Sequence, residues 1–241
     1  MLLLPLTTWT ASSGTQPSQY QAVQFRGGTS LSSGGQLERL HDMLSYSRFA
    51  HYFSEAAEHE LLALTINEYA PLLVPGPMQT EDYAAAVFLG AQPLLSEEDL
   101  ASRIAARLER AGKLIDPTER LLWYILDEAV LRRVVGTRAV MAGQLRHIVD
   151  LIETRKVIVQ VVEFAAGAHA LLEGMISLMT FADAPPLAYL EGPHAGQLVD
   201  DSRLVTACSR SYDLVRAAAL SPEASLALIR SAAEDHHNAQ R

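Results

Sequence analysis

The sequence predicts an α+β fold, with a small, largely antiparallel sheet flanked by amphipathic helices. Apolar residues recur every three to four positions through much of the first half, β-branched runs cluster in the second half, and two capped helical segments close the chain. This order favours an α+β domain over a regular βαβ array. Hydrophobic residues make up 49% of the chain, which is enough for a sizeable core.

The chain is predicted to comprise an N-terminal arm and one domain. Residues 1–36 are rich in Ser, Thr, Gly and Gln and lack helical periodicity, a composition typical of a flexible or loosely packed arm. Residues 37–241 are predicted to form a single α+β domain. A helix-turn-helix head needs several amphipathic helices, and we expect none from the arm.

The first half of the domain is predicted to be mainly helical. Apolar spacing predicts a helix from Gln36 to about Asn67, and two prolines then favour an extended segment over residues 69–75. Thr80 is a good N-cap for a second helix, which Gly90 is expected to end. Ser96 opens a capping-box-like start to a third helix, ending near Gly112.

The second half is predicted to supply the sheet. A run at residues 121–126 is suited to a buried strand, and an amphipathic helix is predicted at residues 137–155. The β-branched run at residues 157–162 is typical of a central strand. We expect residues 175–181 and 187–190 to form an antiparallel pair, followed by helices at 201–220 and 221–235.

The composition argues against several classes of protein, including nucleic-acid-binding, disulfide-rich and membrane-spanning proteins. The formal net charge of −9 argues against a large nucleic-acid footprint, and the arginine cluster Arg132, Arg133 and Arg138 is better explained as a solvated helix end. The single cysteine, Cys208, excludes an intrachain disulfide framework and fits a reducing cytoplasm. The N-terminus lacks the basic region of a signal peptide, and no later run has the roughly 20 apolar residues of a membrane span. We therefore expect a cytoplasmic protein without a membrane partner.

Several side chains are spaced along the chain in a way that could form a metal site or an acid/base pair. His51, Glu55 and His59 fall on one helical face, but the outer two lie about 12 Å apart along two turns, too far to share a metal ion. Glu55 and His59 could act as an acid/base pair, although a solvated helix face is favoured. We expect no metal site.

Further candidates lie at element ends and in one loop. Glu128 follows a predicted strand and precedes Arg132, an arrangement seen in pockets and in surface ion pairs. His169 lies in a Gly/Ala-rich loop after the central strand, where it either acts as a general base or caps the loop. The catalytic candidates, should the protein be an enzyme, are Glu128, His169, Tyr189 and Glu191.

Ligand binding is predicted mainly at a helix N-terminus. Thr80 opens a helix whose first turn could receive an anionic group, although an N-cap alone explains this threonine. The ligand-binding candidates are Gln79, Thr80, Tyr83, Trp123 and Arg132. The chain has no Walker loop, dinucleotide glycine fingerprint, nucleophile elbow, HExxH or CxxC, and we expect no cofactor.

The order of motifs resembles a known family. The segment YAPLLVPGPMQTEDYAAAV at residues 69–87 is followed by RIAARLER, LWYILDEAVLRRVVG, VMAGQLRHIVDLIE, VQVVEFAAGAHALLEG, AYLEG and RAAALSPEASLALI. These strings resemble the domain of unknown function (family 5753) that forms the effector half of XRE-type helix-turn-helix, antitoxin-like regulators of actinomycete bacteria. The resemblance spans about residues 50–235. It departs from the family at Pro77-Met78, at Glu163, and in the absence of a helix-turn-helix head.

The resemblance implies a regulatory effector domain without its DNA-binding head. We expect such a domain to bind a small molecule or a protein partner, which could be a small acidic or antitoxin-type protein, a DNA-binding relative, or a second copy in a homodimer. Its expected role is the control of specialised metabolism or development. The alternative is a repurposed, cofactor-independent enzyme, of the cyclase or isomerase type, acting on a natural-product intermediate.

Overall fold

The computed structural model describes residues 51–115, 120–192 and 195–239. Within these residues the α+β prediction is confirmed. The predicted arm and its boundary at residue 36 lie outside the described residues. The described helices are α1 His51–Leu62, α2 Glu81–Ala91, α3 Glu97–Ile115, α4 Glu128–Arg132, α5 Arg138–Glu153, α6 Ser202–Ala218 and α7 Pro222–Asn238.

The strands form one mixed sheet in the order β3-β2-β1-β4-β5-β6. β1 and β2, and β2 and β3, pair in parallel, whereas the β1–β4, β4–β5 and β5–β6 pairs are antiparallel. The predicted antiparallel pair, β4 with β5, is therefore confirmed. The strand bounds are β1 Thr65–Ala70, β2 Leu121–Asp127, β3 Ile158–Val162, β4 Met175–Thr180, β5 Leu187–Gly192 and β6 Ala195–Val199.

Helices cover both faces of the sheet. One face, here called the inner face, packs against α1, α3, α5 and α7 through a core that includes Ile66, Leu126, Leu145 and Ile229. The opposite, outer face packs mainly against α6, where Tyr212 belongs to a second apolar cluster. Because side chains alternate along a strand, each strand divides its residues between these two cores.

The predicted helix starts are confirmed by their caps. The Thr80 hydroxyl accepts a hydrogen bond from the backbone N–H of Tyr83, and the Ser96 hydroxyl accepts one from that of Asp99. Ser221 caps α7 in the same way, with a proline at the first helical position. Helix α2 runs one residue beyond Gly90 before it ends.

Two sequence predictions about the sheet are wrong. The run at residues 157–162, predicted to be a central strand, supplies β3, which lies at the edge of the described sheet. The predicted helix to Asn67 ends at Leu62, and Thr65–Ala70 is the central strand β1 rather than part of a helix and an extended segment. The apolar spacing fits both periods over this short stretch, and pairing with strands on both sides decides in favour of the strand. Strand β6, which pairs with the adjacent β5, was not predicted. The parallel pairing was not predicted either, because register between distant segments leaves no local signal.

A buried glutamine joins α2 to α5. The Gln144 amide donates to the Met78 carbonyl at 2.6 Å, and its oxygen accepts from the Thr80 backbone N–H at 2.8 Å and from the Thr80 hydroxyl at 3.2 Å. Gln144 is fully buried. It therefore fixes the 3-10 turn Gly76–Met78 and the start of α2 against α5.

We expect Gln144→Ala to lower the free energy of unfolding by about 3 kcal/mol, because buried backbone groups of two residues lose their partner. Urea denaturation followed by circular dichroism measures this change. The exposed Gln92 provides a control, since Gln92→Ala should change stability by less than about 0.5 kcal/mol. Equal effects of the two substitutions would contradict the assigned role of Gln144.

Candidate functional site

Four polar side chains cross the inner face in one line. Glu68 of β1 lies opposite Tyr124 of β2 and Ser177 of β4, and Ser177 lies opposite Tyr189 of β5. Residues that are directly opposite share a face, with their Cβ atoms about 5 Å apart. These four residues, here called the polar row, thus form a continuous polar strip across four adjacent strands within an otherwise apolar core.

Two hydroxyls of the polar row have no hydrogen-bond partner among the described residues: Tyr124 Oη and Ser177 Oγ. Tyr124 is 0% exposed and Ser177 is 1% exposed. Leaving a buried hydroxyl without a partner costs about 1–3 kcal/mol, and the large majority of buried polar groups in proteins are bonded. Two such atoms on either side of one buried carboxyl therefore leave hydrogen-bonding capacity in the row that the described residues do not use.

Glu68 is a buried acid in the middle of the row. It is 6% exposed, and burial is the main reason that its pKa rises to about 8. The negative charges of Glu60 and Glu191 raise the pKa further, and Arg110 opposes them. Glu68 therefore keeps its proton at neutral pH, which marks it as a functional candidate.

The polar row lies beside a bidentate ion pair between α1 and α3. Arg110 donates to the two carboxylate oxygens of Glu60 at 2.8 and 3.0 Å, and the side chains of Arg110 and Glu60 are 13% and 5% exposed. The Arg110 guanidinium also lies over the ring of Phe53, 4.4 Å from its centroid. Phe53 in turn contacts the Tyr189 ring edge-on, with the centroids 5.4 Å apart. Burial raises the pKa of Glu60, and Arg110 opposes that rise.

Two of the predicted residues, Gln79 and Glu191, lie near this ion pair. Gln79 is buried and accepts a hydrogen bond from Arg107 at 2.7 Å, and burial lowers the pKa of Arg107 to about 10. Partial burial raises the pKa of Glu191, whereas a hydrogen bond from Tyr189 and the charges of Arg107 and Arg110 lower it. Glu191 remains exposed at the rim.

An open groove of about 800 Å³ lies at the start of β4 and the end of β5, beside the exposed Glu191. Met175 and Glu191, which lie opposite each other, line the groove, and each is two residues from the next inner-face pair, Ser177 and Tyr189. The groove is therefore one inner-face pair away from the polar row, and none of the four row residues lines it. The other lining residues are Ala170, Leu171, Glu173, Gly174, Ile176, Leu190, Gly192, Ala195, Gly196 and Gln197.

His169 belongs to a separate, fully bonded cluster on the outer face. Its Nδ1 accepts from the Leu171 backbone N–H at 3.3 Å, so Nε2 carries the proton of the neutral ring. Nε2 lies 3.2 Å from the Tyr69 hydroxyl and 3.7 Å from Asp127 Oδ2, and Tyr69 donates to Asp127 at 3.3 Å. This cluster attaches the loop that forms one wall of the groove to the ends of β1 and β2.

Glu128 and Arg132 make structural contacts. One Glu128 oxygen accepts from the Phe164 backbone N–H at 3.0 Å, and the other bonds Arg132 at 3.1 Å. Arg132 also bonds Asp235 of α7 at 3.2 Å. Their predicted catalytic and binding roles stay predictions, but the contacts join α4, the end of β3 and α7.

The remaining predicted residues are dispersed. Thr80 caps α2, and Tyr83 lies in the core, where its hydroxyl accepts from the Val74 backbone N–H at 3.1 Å. Trp123 faces the outer side and donates to Gln160 at 2.9 Å. The structure thus places Tyr189, Glu191 and Gln79 around one site and separates them from His169, Glu128, Arg132 and Trp123.

Sequence reasoning missed Glu68, Tyr124 and Ser177. Each lies inside a strand, and their proximity depends on strand register rather than on spacing along the chain. A usable signal was the glutamate in the segment TINEYA, since a carboxyl on the buried face of a strand is unusual.

Other classes of site have little support in the part of the chain that the structure describes. It contains no group of three or more His, Cys, Asp and Glu side chains placed to hold a metal ion. His59 contacts the ring of Phe181, and Glu55 is exposed. None of its helices combines the length and the apolar character needed to cross a bilayer.

We expect Tyr124→Phe to raise the free energy of unfolding by about 1 kcal/mol, because it removes a buried hydroxyl that lacks a partner. The same substitution at the equally buried Tyr83 should lower it by about 1–2 kcal/mol, since the Val74 N–H loses its acceptor. Chemical denaturation of both variants measures the difference. A loss of stability in Tyr124→Phe matching that of Tyr83→Phe would show that the Tyr124 hydroxyl is bonded.

The raised pKa of Glu68 predicts a pH-dependent stability. Between pH 4.5 and about 8 the unfolded chain loses this proton while the folded protein keeps it. The contribution of Glu68 to folding therefore falls by about 1.4 kcal/mol per pH unit across that window, and is constant above it. Relative to wild type, Glu68→Gln should gain stability as the pH rises to about 8 and then level off. A pH-independent difference in unfolding free energy would contradict the assignment.

Comparison with known proteins identifies the domain. The model of the family described as Domain of unknown function (DUF5753) matches residues 53–231, which include the whole polar row and the groove. Searches of curated proteins and of solved structures give no match. Because the match covers well over half of the sequence, the chain belongs to the DUF5753 family of domains of unknown function.

Proposed function

We propose that this protein is an effector domain that binds a small molecule on the inner face of its sheet, against the polar row. The observation that carries this proposal is the pair of buried hydroxyls, Tyr124 Oη and Ser177 Oγ, that lack partners on either side of Glu68. A ligand would supply hydrogen bonds that the described residues do not. The nearest open groove is lined by Met175 and Glu191, the inner-face pair next to Ser177 and Tyr189, and the proposed ligand would enter from there.

The proposed setting is the cytoplasm, in the control of specialised metabolism or development. Membership of the DUF5753 family and the resemblance to regulator effector halves support this setting. Ligand binding would alter the contact with a protein partner, such as a DNA-binding relative, a small antitoxin-type protein or a second copy in a homodimer. The net charge of −9 disfavours direct DNA binding by this chain.

A second candidate function is a cofactor-independent enzyme of the cyclase or isomerase type. The observation in its favour is Glu68, because a carboxyl that keeps its proton at neutral pH can act as a general acid. Tyr189 belongs to the same row and Glu191 acts electrostatically on Glu68, whereas His169 and Glu128 are held in structural contacts.

The proposal is tested by ligand-observed NMR with a fragment library containing neutral, cationic and anionic compounds. We expect a subset of fragments to bind the wild type and to lose binding in Ser177→Val, which removes one unpaired hydroxyl and adds bulk in the middle of the row. The control is Ser209→Val, the same substitution on the exposed side of α6, which should retain binding.

A screen in which every binding fragment also binds Ser177→Val equally would overturn the inner-face site. The two candidate functions separate in a further measurement. If a bound compound is converted to a product, and Glu68→Gln abolishes conversion while binding remains, the protein is an enzyme. If the compound is bound and recovered unchanged, the effector function is supported.

A further inference from the structure

The electrostatic environment of the polar row favours positive charge. Glu60 and Glu191 both act on Glu68, and the effect of Glu60 alone exceeds the opposing effect of Arg110. Arg110 is engaged by both oxygens of Glu60, and Arg107 is bonded to Gln79. Negative charge also dominates around Tyr124. Glu68 and Glu60 raise its pKa by more than Arg110 and Arg120 lower it. The nearby arginines are therefore engaged elsewhere and would not fully compensate an ionised Glu68.

We propose that the ligand of this site is an organic amine whose ammonium group lies against Glu68, Tyr124 and Ser177. This inference rests on the proposed small-molecule-binding function and names its ligand class. An ammonium group has three N–H donors, and the row offers three acceptors, namely the Glu68 carboxylate and the two hydroxyls without partners.

The body of the amine is apolar and lies toward the groove. Of the larger apolar side chains that line the groove, Met175 packs on the inner-face core, whereas Leu171, Ile176 and Leu190 belong to the outer-face cluster. Met175 and Ser177 are two positions apart along β4, a distance of about 7 Å. A chain of about six carbons therefore spans the path from the groove to the row.

Amine binding exchanges one cation for one proton. In the free protein Glu68 is protonated at pH 7, because its pKa is about 8. An ammonium group beside it favours the carboxylate and displaces that proton to solvent. The groups that act on Glu68 are Glu60 of α1, Arg110 of α3 and Glu191 of β5, and the exchange leaves the net charge among them unchanged.

A carboxylate ligand is disfavoured here, because it would face Glu60 and Glu191 while Arg110 and Arg107 are already bonded. A neutral carbonyl could accept hydrogen bonds from the row, but it would neither compensate Glu68 nor release a proton. Proton release therefore separates the ligand classes.

The test compares n-hexylammonium, n-hexanol and hexanoate by isothermal titration calorimetry on the full chain, in buffers with different ionisation enthalpies. We expect hexylammonium to bind most tightly and to release roughly 0.9 proton per site at pH 7, falling to about 0.1 at pH 9, given a Glu68 pKa of about 8. Preference for hexanol or hexanoate would overturn the amine inference and leave the small-molecule function standing. Failure of hexylammonium to bind at millimolar concentrations would also overturn the inference, and the fragment screen then reports separately on the proposed function.

Variants locate the site of binding. Glu68→Gln should weaken hexylammonium binding by roughly tenfold or more and abolish proton release, because it removes the carboxylate and preserves the shape. Tyr124→Phe should weaken binding a few-fold without changing proton release. Tyr212→Phe, a buried tyrosine that bonds the Trp123 carbonyl on the outer face, should retain wild-type affinity. Undiminished binding and proton release in Glu68→Gln would overturn the proposal.

Discussion

The bidentate pair between Glu60 and Arg110 is the interaction on which the arrangement of the inner face depends. It joins α1 to α3 beside the sheet, and it engages the guanidinium that would otherwise neutralise Glu68. Removing either partner of a buried pair leaves an uncompensated charge, which typically costs several kcal/mol. Glu60 is thus paired with a cation and helps to hold the fold, whereas Glu68 is buried nearby without a bonded cation.

The position of Glu68 follows from the topology of the sheet. β1 has hydrogen-bonded neighbours on both sides, so its register is fixed by β2 and β4 and its side chains cannot change face. The polar row is therefore built from strands rather than loops, and such sites are positioned precisely. One wall of the neighbouring groove is a loop instead, which His169 attaches to the ends of β1 and β2.

Local sequence signals predicted the helices well, because their determinants lie within a few residues. Thr80, Ser96 and Ser221 each cap the helix that the sequence assigned to them. The first residues of β1, Thr65–Asn67, were wrongly predicted as helix, since only pairing with residues more than 50 positions away distinguishes strand from helix there. Tyr189 and Glu191 were recognised at a strand end, but the neighbours that define their environment, Glu68 and Ser177, come from strands whose register the sequence does not reveal.

The two polar clusters of this domain differ in a way that bears on function. Tyr69, Asp127 and His169 satisfy one another, and holding a loop to the sheet explains them fully. The polar row has no comparable structural explanation, because Phe, Ala and Gln at positions 124, 177 and 68 would fill similar space without a buried acid or unpaired hydroxyls. Groups that lower stability within a rigid, otherwise apolar face are expected where function requires them. The stability that the polar row costs is thus itself an argument for a ligand on the inner face. This argument does not depend on the negative charge around the row, which is the separate reason for proposing an amine.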